Sequence, residues 1–191
     1  NKLECPQDEL FFFLDSKYIE NEKIYFIADK NELNILKSKN HYLQDVNKFT
    51  NTKPVEFRSN LKIYIPNKGF SSYQSEYPFD MTTRTGSILS PINMLLAKGA
   101  DHNFIFFKNI FFKPEQKQSN LYFINLKKKE IVKKFEIKQN YLNEIKVEDD
   151  CIFEDIYLFT DNCLGIPLFV SVKNSHISLE HTHPPHHYIL S

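Results

Sequence analysis

The chain predicts a mainly β fold, an antiparallel sandwich or open barrel built from hairpins, with α+β as the neighbouring class. Three observations carry this. The 191 residues hold 18 Phe and 10 Tyr, no Trp and 4 Gly, and aromatic side chains suit a pleated, half-buried surface. Short apolar runs recur, separated by polar turns at hairpin spacing. Helix punctuation is scarce, supporting one or two short helices, about 91–98 and, more weakly, 31–38. No internal repeat or low-complexity linker divides the chain, so a single domain over 1–191 is expected.

In order, Glu9 to Asp15 (ELFFFLD) and Lys23 to Ala28 (KIYFIA) are expected strands, joined by polar residues 16–22. Asp29 can cap a short helix over Asn31 to Ser38, where Leu33 and Leu36 give a weak apolar face. Tyr42 to Phe49 reads as a helical turn or irregular loop. Pro54 to Arg58 and Leu61 to Ile65 read as strand, stopped by Pro66. The second helix rests on Ser90 as cap, Pro91 at the first helical position, Ile92, Leu95 and Leu96 as apolar face and Gly99 as terminator. Beyond Asn103 the chain reads as an antiparallel meander. Its strands are Phe104 to Phe112, Leu121 to Leu126, Ile131 to Ile137, Ile156 to Thr160, Pro167 to Val172 and His176 to Glu180. A Lys-Lys-Lys-Glu turn joins the second and third, and Lys173-Asn174-Ser175 joins the last two.

Formal net charge is zero, which gives no electrostatic footprint for nucleic acid. Nine lysines fall between Lys113 and Lys146, and an acidic run, Glu144, Glu148, Asp149, Asp150, Glu154 and Asp155, adjoins them. Solvated strand edges and turns explain both, with a recruitment surface as the sharper alternative. No apolar window is long enough to span a bilayer. Three cysteines, Cys5, Cys151 and Cys163, without a CxxC pair, point to a reducing cytoplasm, although a start at Asn1 leaves room for a processed leader. Of the 24 basic residues only Arg58 and Arg84 are arginine, a bias that fits an AT-rich, bacterial coding sequence. The Phe-rich run at 104–112 is a candidate edge for homo-oligomer formation.

Two segments carry candidate chemistry. The first is the C-terminal cluster His181, His183, His186 and His187. Imidazole is the commonest metal ligand and titrates nearest neutrality. On a strand, residues two apart share a face, so His181 and His183 are the candidate ligands of a divalent metal (Zn, Fe or Mn), and Glu180 faces away. His176, five positions before His181, also lies on the opposite face. Pro184 and Pro185 hold the chain extended, which keeps His186 and His187 from the same ion without a bend and leaves them as candidate acid/base catalytic groups. The bland alternative is a polar terminus packed over a sheet edge.

The second segment runs from Gly69 to Ala97 and contains no lysine. Tyr73, Arg84, Thr85 and Ser87 are its candidate substrate-binding residues. Guanidinium gives planar two-point contacts to carboxylate or phosphate, hydroxyls suit a sugar, and tyrosine can stack on a sugar face. The alternative is a buried loop whose hydroxyls satisfy backbone groups. Neither a Walker nor a dinucleotide motif is present, so no nucleotide cofactor is expected. No GxSxG occurs, and Cys163 is a remote candidate nucleophile.

Two functions follow as expectations. One is an enzyme for a small polar or anionic substrate, such as a sugar derivative, using the histidines as metal ligands or acid/base. The other is a non-catalytic β-rich module that binds glycan or protein through exposed aromatics.

Overall fold

The computed structural model describes residues 57–65, 69–111 and 117–182. Ten strands and one short helix follow in order: β1 (Phe57–Ile65), β2 (Gly69–Tyr77), α1 (Phe79–Thr83), β3 (Leu89–Pro91), β4 (His102–Lys108), β5 (Gln118–Asn125), β6 (Glu130–Lys138), β7 (Leu142–Val147), β8 (Ile156–Asp161), β9 (Ile166–Lys173) and β10 (His176–His181). A 3-10 turn occupies Asp149–Cys151. The fold is mostly β, as the aromatic composition and hairpin spacing predict. Two four-stranded antiparallel sheets, ordered β10-β9-β4-β7 and β3-β8-β5-β6, are accompanied by the β1-β2 hairpin. Neither sheet closes into a barrel.

The sheets face each other across one apolar core. Ile105, Phe107, Ile145 and Phe169 from the first meet Leu121, Phe123, Ile137 and Leu158 from the second. Period-two alternation puts these residues inward. On β8 buried and half-buried positions alternate strictly, and Phe123 meets Phe135 edge to face with centroids 4.9 Å apart. The β9 strand differs. Its first six residues, Ile166 to Ser171, are all buried, so both faces of this sheet are covered around β9, as its unbroken apolar run IPLFV requires. Leu168 and Val170 point away from Phe169 and the inter-sheet core, yet are 2% and 0% exposed. We call this sheet the covered sheet and its partner the open sheet. The chain crosses from β8 to β9 through Cys163-Leu164-Gly165. A Cβ on Gly165 would strike the Phe107 ring and lie 2.6 Å from the Lys108 carbonyl. Only glycine permits that approach.

The expected hairpins form. Asn174 and Ser175 both take positive φ, 49° and 70°, the two-residue turn that matches strand twist. The β5-β6 connection turns at Leu126 to Lys129, one residue earlier than expected, with Lys129 at φ 57° and a bulge beside Phe123.

Several expectations need correction. Residues 91–98 are not a helix. Ser90 and Pro91 belong to β3, where they pair with Leu158 and Tyr157, and the Ser90 hydroxyl donates to the Pro91 carbonyl instead of capping. Sheet pairing holds Ser90 and Pro91 extended, leaving a single turn in which Leu96 N donates to Ile92 O at 3.0 Å. Gly99, at φ 76°, does close that loop. The one helix among the described residues is α1, within the Ser/Thr-rich segment. That segment also supplies β2. The β4 strand stops at Lys108, because Asn109 N turns to donate to Tyr141 O. It lies at the centre of its sheet, between β9 and β7, so Phe104 and Phe106 are not an edge for self-association. The expected strands at 9–15 and 23–28, the helix at 31–38 and the segment 42–49 lie outside the described residues.

Candidate functional site

Of the candidate metal ligands, His181 ends β10 and is half-buried; His183, like the acid/base candidates His186 and His187, lies outside the described residues. Alternation along β10 is regular. His176, Ser178 and Glu180 are exposed, whereas Ile177, Leu179 and His181 are half-buried on the other face. Glu180 and His176 therefore do point away from His181, as the spacing implies. His181 pairs with Leu168 across the sheet, on the outer face of the covered sheet. There its ring meets Tyr73 of β2, with centroids 4.3 Å apart and planes tilted by 34°. Among the described residues, no group of three or more His, Cys, Asp or Glu is placed to hold a metal ion.

Tyr73 is thus the substrate-binding candidate that the fold brings to a histidine. The others follow α1. Arg84 and Thr85 are exposed, and Ser87 is half-buried. The Ser87 hydroxyl accepts from Asn162 N at 3.1 Å, which fastens this loop to the β8-β9 crossover. Next to it the Thr160 hydroxyl accepts from Ile88 N at 3.0 Å and donates to Cys163 O at 2.7 Å. These hydroxyls satisfy backbone groups.

The end of the sandwich beside this crossover is sealed by a buried polar network. The Tyr77 hydroxyl accepts from Ile110 N at 3.0 Å and donates to Leu164 O at 3.4 Å. The Asn109 side chain donates to the same carbonyl and accepts from Asn140 N at 2.8 Å. Asn140 in turn accepts from Phe111 N at 2.7 Å. Buried backbone groups without such partners would each cost about 1–3 kcal/mol. Lys108 is buried beside it, its ammonium 5.6 Å from the centre of the Tyr77 ring. Desolvation pulls its pKa down to about 8. Burial pushes the Cys163 thiol up to about 12, so this cysteine is a packed hydrophobe and not a poised nucleophile. Cys151 is pushed up to about 11 by burial and by the carboxylate of Asp150.

The open sheet carries the feature that sequence reading missed. Strand register lines up two cross-strand rows on its outer face: Leu89, Phe159, Tyr122 and Lys134, and then Pro91, Tyr157, Ile124 and Ile131. Directly paired residues project from the same face, and the inward alternates Ser90, Leu158 and Phe123 are buried. Seven of these eight outward positions are apolar or aromatic, where a solvated antiparallel face is normally polar. Leu89 and Ile131, at the two ends of the rows, are 39% and 63% exposed. Tyr122 and Phe159 lie side by side with centroids 6.3 Å apart, and the Lys134 ammonium sits 6.0 Å from the Tyr122 ring. The next row, Asp161, Asn120 and Glu136, is polar and bounds the patch. Each strand's alternation was legible in the sequence. Which strands would be neighbours, and hence that the apolar positions merge, was not.

Among the described residues no helix is long and apolar enough to cross a membrane. No protein-family model, curated protein or solved structure matches the chain.

Proposed function

We propose that the chain is a non-catalytic β-rich binding module that recognises a protein partner through the outer face of the open sheet. The observation that supports this reading most is the pair of cross-strand rows centred on Tyr122, Phe159, Tyr157 and Ile124. An apolar patch with aromatic anchors and a polar rim has the anatomy of a protein interface. A glycan suits it less well, because Leu89, Pro91, Ile124 and Ile131 would leave sugar hydroxyls unpaired.

A photo-crosslinking residue at position 122 tests this in extract of the source cells. The expected outcome is a discrete adduct that is absent when the crosslinker sits at exposed Lys173 and is lost on Tyr157→Asp. Adducts of equal yield from both positions would sink the proposal. Binding on a glycan array that disappears with Tyr122→Ala would replace it with the carbohydrate reading.

The second reading is an enzyme for a small polar or anionic substrate, with a divalent metal at His181 and His183 or acid/base work at His186 and His187. The contact that favours it is Tyr73 on His181, where a substrate-segment residue meets the first histidine. Elemental analysis of native protein, with His181→Ala and His183→Ala in parallel, decides whether the pair holds metal.

A further inference from the structure

The described residues have seven exposed large apolar side chains. Five of them, Met94, Leu126, Ile131, Val132 and Phe153, gather at the end of the sandwich opposite the polar network. Three connections meet there. Ile92 N donates to Ile156 O at 3.4 Å, and Leu126 N donates to Asp155 O at 3.0 Å. The Lys98 ammonium stands 3.8 Å from the centre of the Phe153 ring. Met94 is 78% exposed and Phe153 48%, an arrangement that leaves large apolar groups in water at the tips of ordered loops.

The charge around this patch is divided. Lys127, Lys128 and Lys129 are exposed on the β5-β6 turn, while Asp150 and Glu154 are exposed on the connection packed beside it. A surface of one sign, such as an anionic bilayer or a nucleic acid, would attract one half and repel the other. A two-fold axis resolves this. In an isologous interface residue i of one copy meets residue j of the second and j meets i, so a patch basic on one side and acidic on the other is complementary to itself.

We propose that this end of the sandwich is a homodimer face. Met94, Leu126 and Phe153 form its apolar centre, and the lysine turn of each copy lies against the acidic connection of the other. The proposal is independent of the partner-binding face. Ile131 stands at the corner the two share, so the test leaves it unchanged.

Sedimentation equilibrium of the full chain over a range of concentrations is the experiment. Wild type is expected to associate to a dimer. Phe153→Asp and Met94→Asp, both at solvent-facing positions, should each raise the dimer dissociation constant at least about tenfold. Leu89→Asp on the open sheet should leave it unchanged while abolishing the crosslink from position 122. The double variants Lys127→Glu with Lys129→Glu, and Asp150→Lys with Glu154→Lys, should each lose self-association and recover it when mixed in equal amounts. A wild-type monomer at every concentration overturns the proposal. So does a dimer indifferent to Phe153→Asp and Met94→Asp, or one lost with Leu89→Asp. Failure of the charge-reversed forms to rescue one another overturns it too. Flotation of monomeric wild type with phosphatidylserine vesicles would assign the patch to a membrane instead.

Discussion

The two sheets differ in how their outward apolar residues are treated. On the covered sheet, Leu168 and Val170 point away from the inter-sheet core and are still fully buried. On the open sheet, Tyr157 and Phe159 occupy the equivalent outward positions of a central strand and are half-buried. Both strands carry apolar residues on both faces. The difference lies in what packs on top. On the covered sheet Tyr73 of the β1-β2 hairpin reaches His181. The rows on the open sheet keep Leu89 and Ile131 in solvent. An apolar outer row that the chain covers contributes to stability; one left open is available to a partner.

The largest break in this comparison comes from truncating matched outward residues. Leu168→Ala removes a side chain that is 2% exposed, at an expected cost of about 2–5 kcal/mol. Ile124→Ala on the open sheet should cost less, about 1–2 kcal/mol, since that side chain is only half-buried. Urea midpoints for the two variants measure the difference, and equal losses would mean that the open face is covered too.

Next is the crossover that links the sheets. Gly165→Ala places a methyl against the Phe107 ring and the Lys108 carbonyl. Overpacking of this kind should destabilise by about 1–3 kcal/mol. Thermal unfolding detects it, and an unshifted midpoint would show that Phe107 yields freely.

Lys108 sharpens the comparison at the end of β4, a central strand of the covered sheet. Its amine has a native pKa near 8 against an ordinary value of 10.5. Below about pH 8 both native and unfolded chains hold the proton, and the whole desolvation cost weighs on the fold. Between about 8 and 10.5 the unfolded chain binds more proton than the native one, so stability rises with pH across that window. Lys108→Met should therefore stabilise by on the order of 2 kcal/mol at pH 7, and this gain should fade as pH rises toward 10.5. Denaturation of both proteins at a series of pH values measures it, and a gain independent of pH would point to packing instead.

The smallest effect belongs to the open sheet's hairpin. Lys129 sits at φ 57°, in the left-handed region where a Cβ is disfavoured. Lys129→Gly should raise stability by about 0.5–1 kcal/mol, offset in part by the freer unfolded chain. A loss of stability would mean that the lysine side chain makes contacts there worth more than the relieved strain.

Much of the architecture was legible in the chain, and particular elements show why. LYFINL, IYLFT and PLFVSV alternate or run apolar between polar turns, and each became a strand within three residues of the expected limits. The opposed faces of Glu180 and His181 also follow from strand periodicity alone. The Ser90-Pro91 segment misled because a helix cap and an extended edge strand share the same residues. Pairing with Tyr157 and Leu158, 66 to 68 residues away, decided between them. The candidate site was less legible. Tyr73 could be named, but its contact with His181 depends on how a hairpin docks on a distant strand.

By itself, then, the sequence determined local conformation: which residues extend, where turns fall, and which side chains share a face of one strand. Those follow from sterics and period-two geometry acting over a few residues. Only the tertiary structure decided that β3, β8, β5 and β6 lie side by side, so that their outward apolar residues fuse into one surface, and that β9 is covered on both faces. Strand order and layer packing rest on contacts between residues far apart in the chain, and burial is a property of what lies above a face, which no single strand encodes.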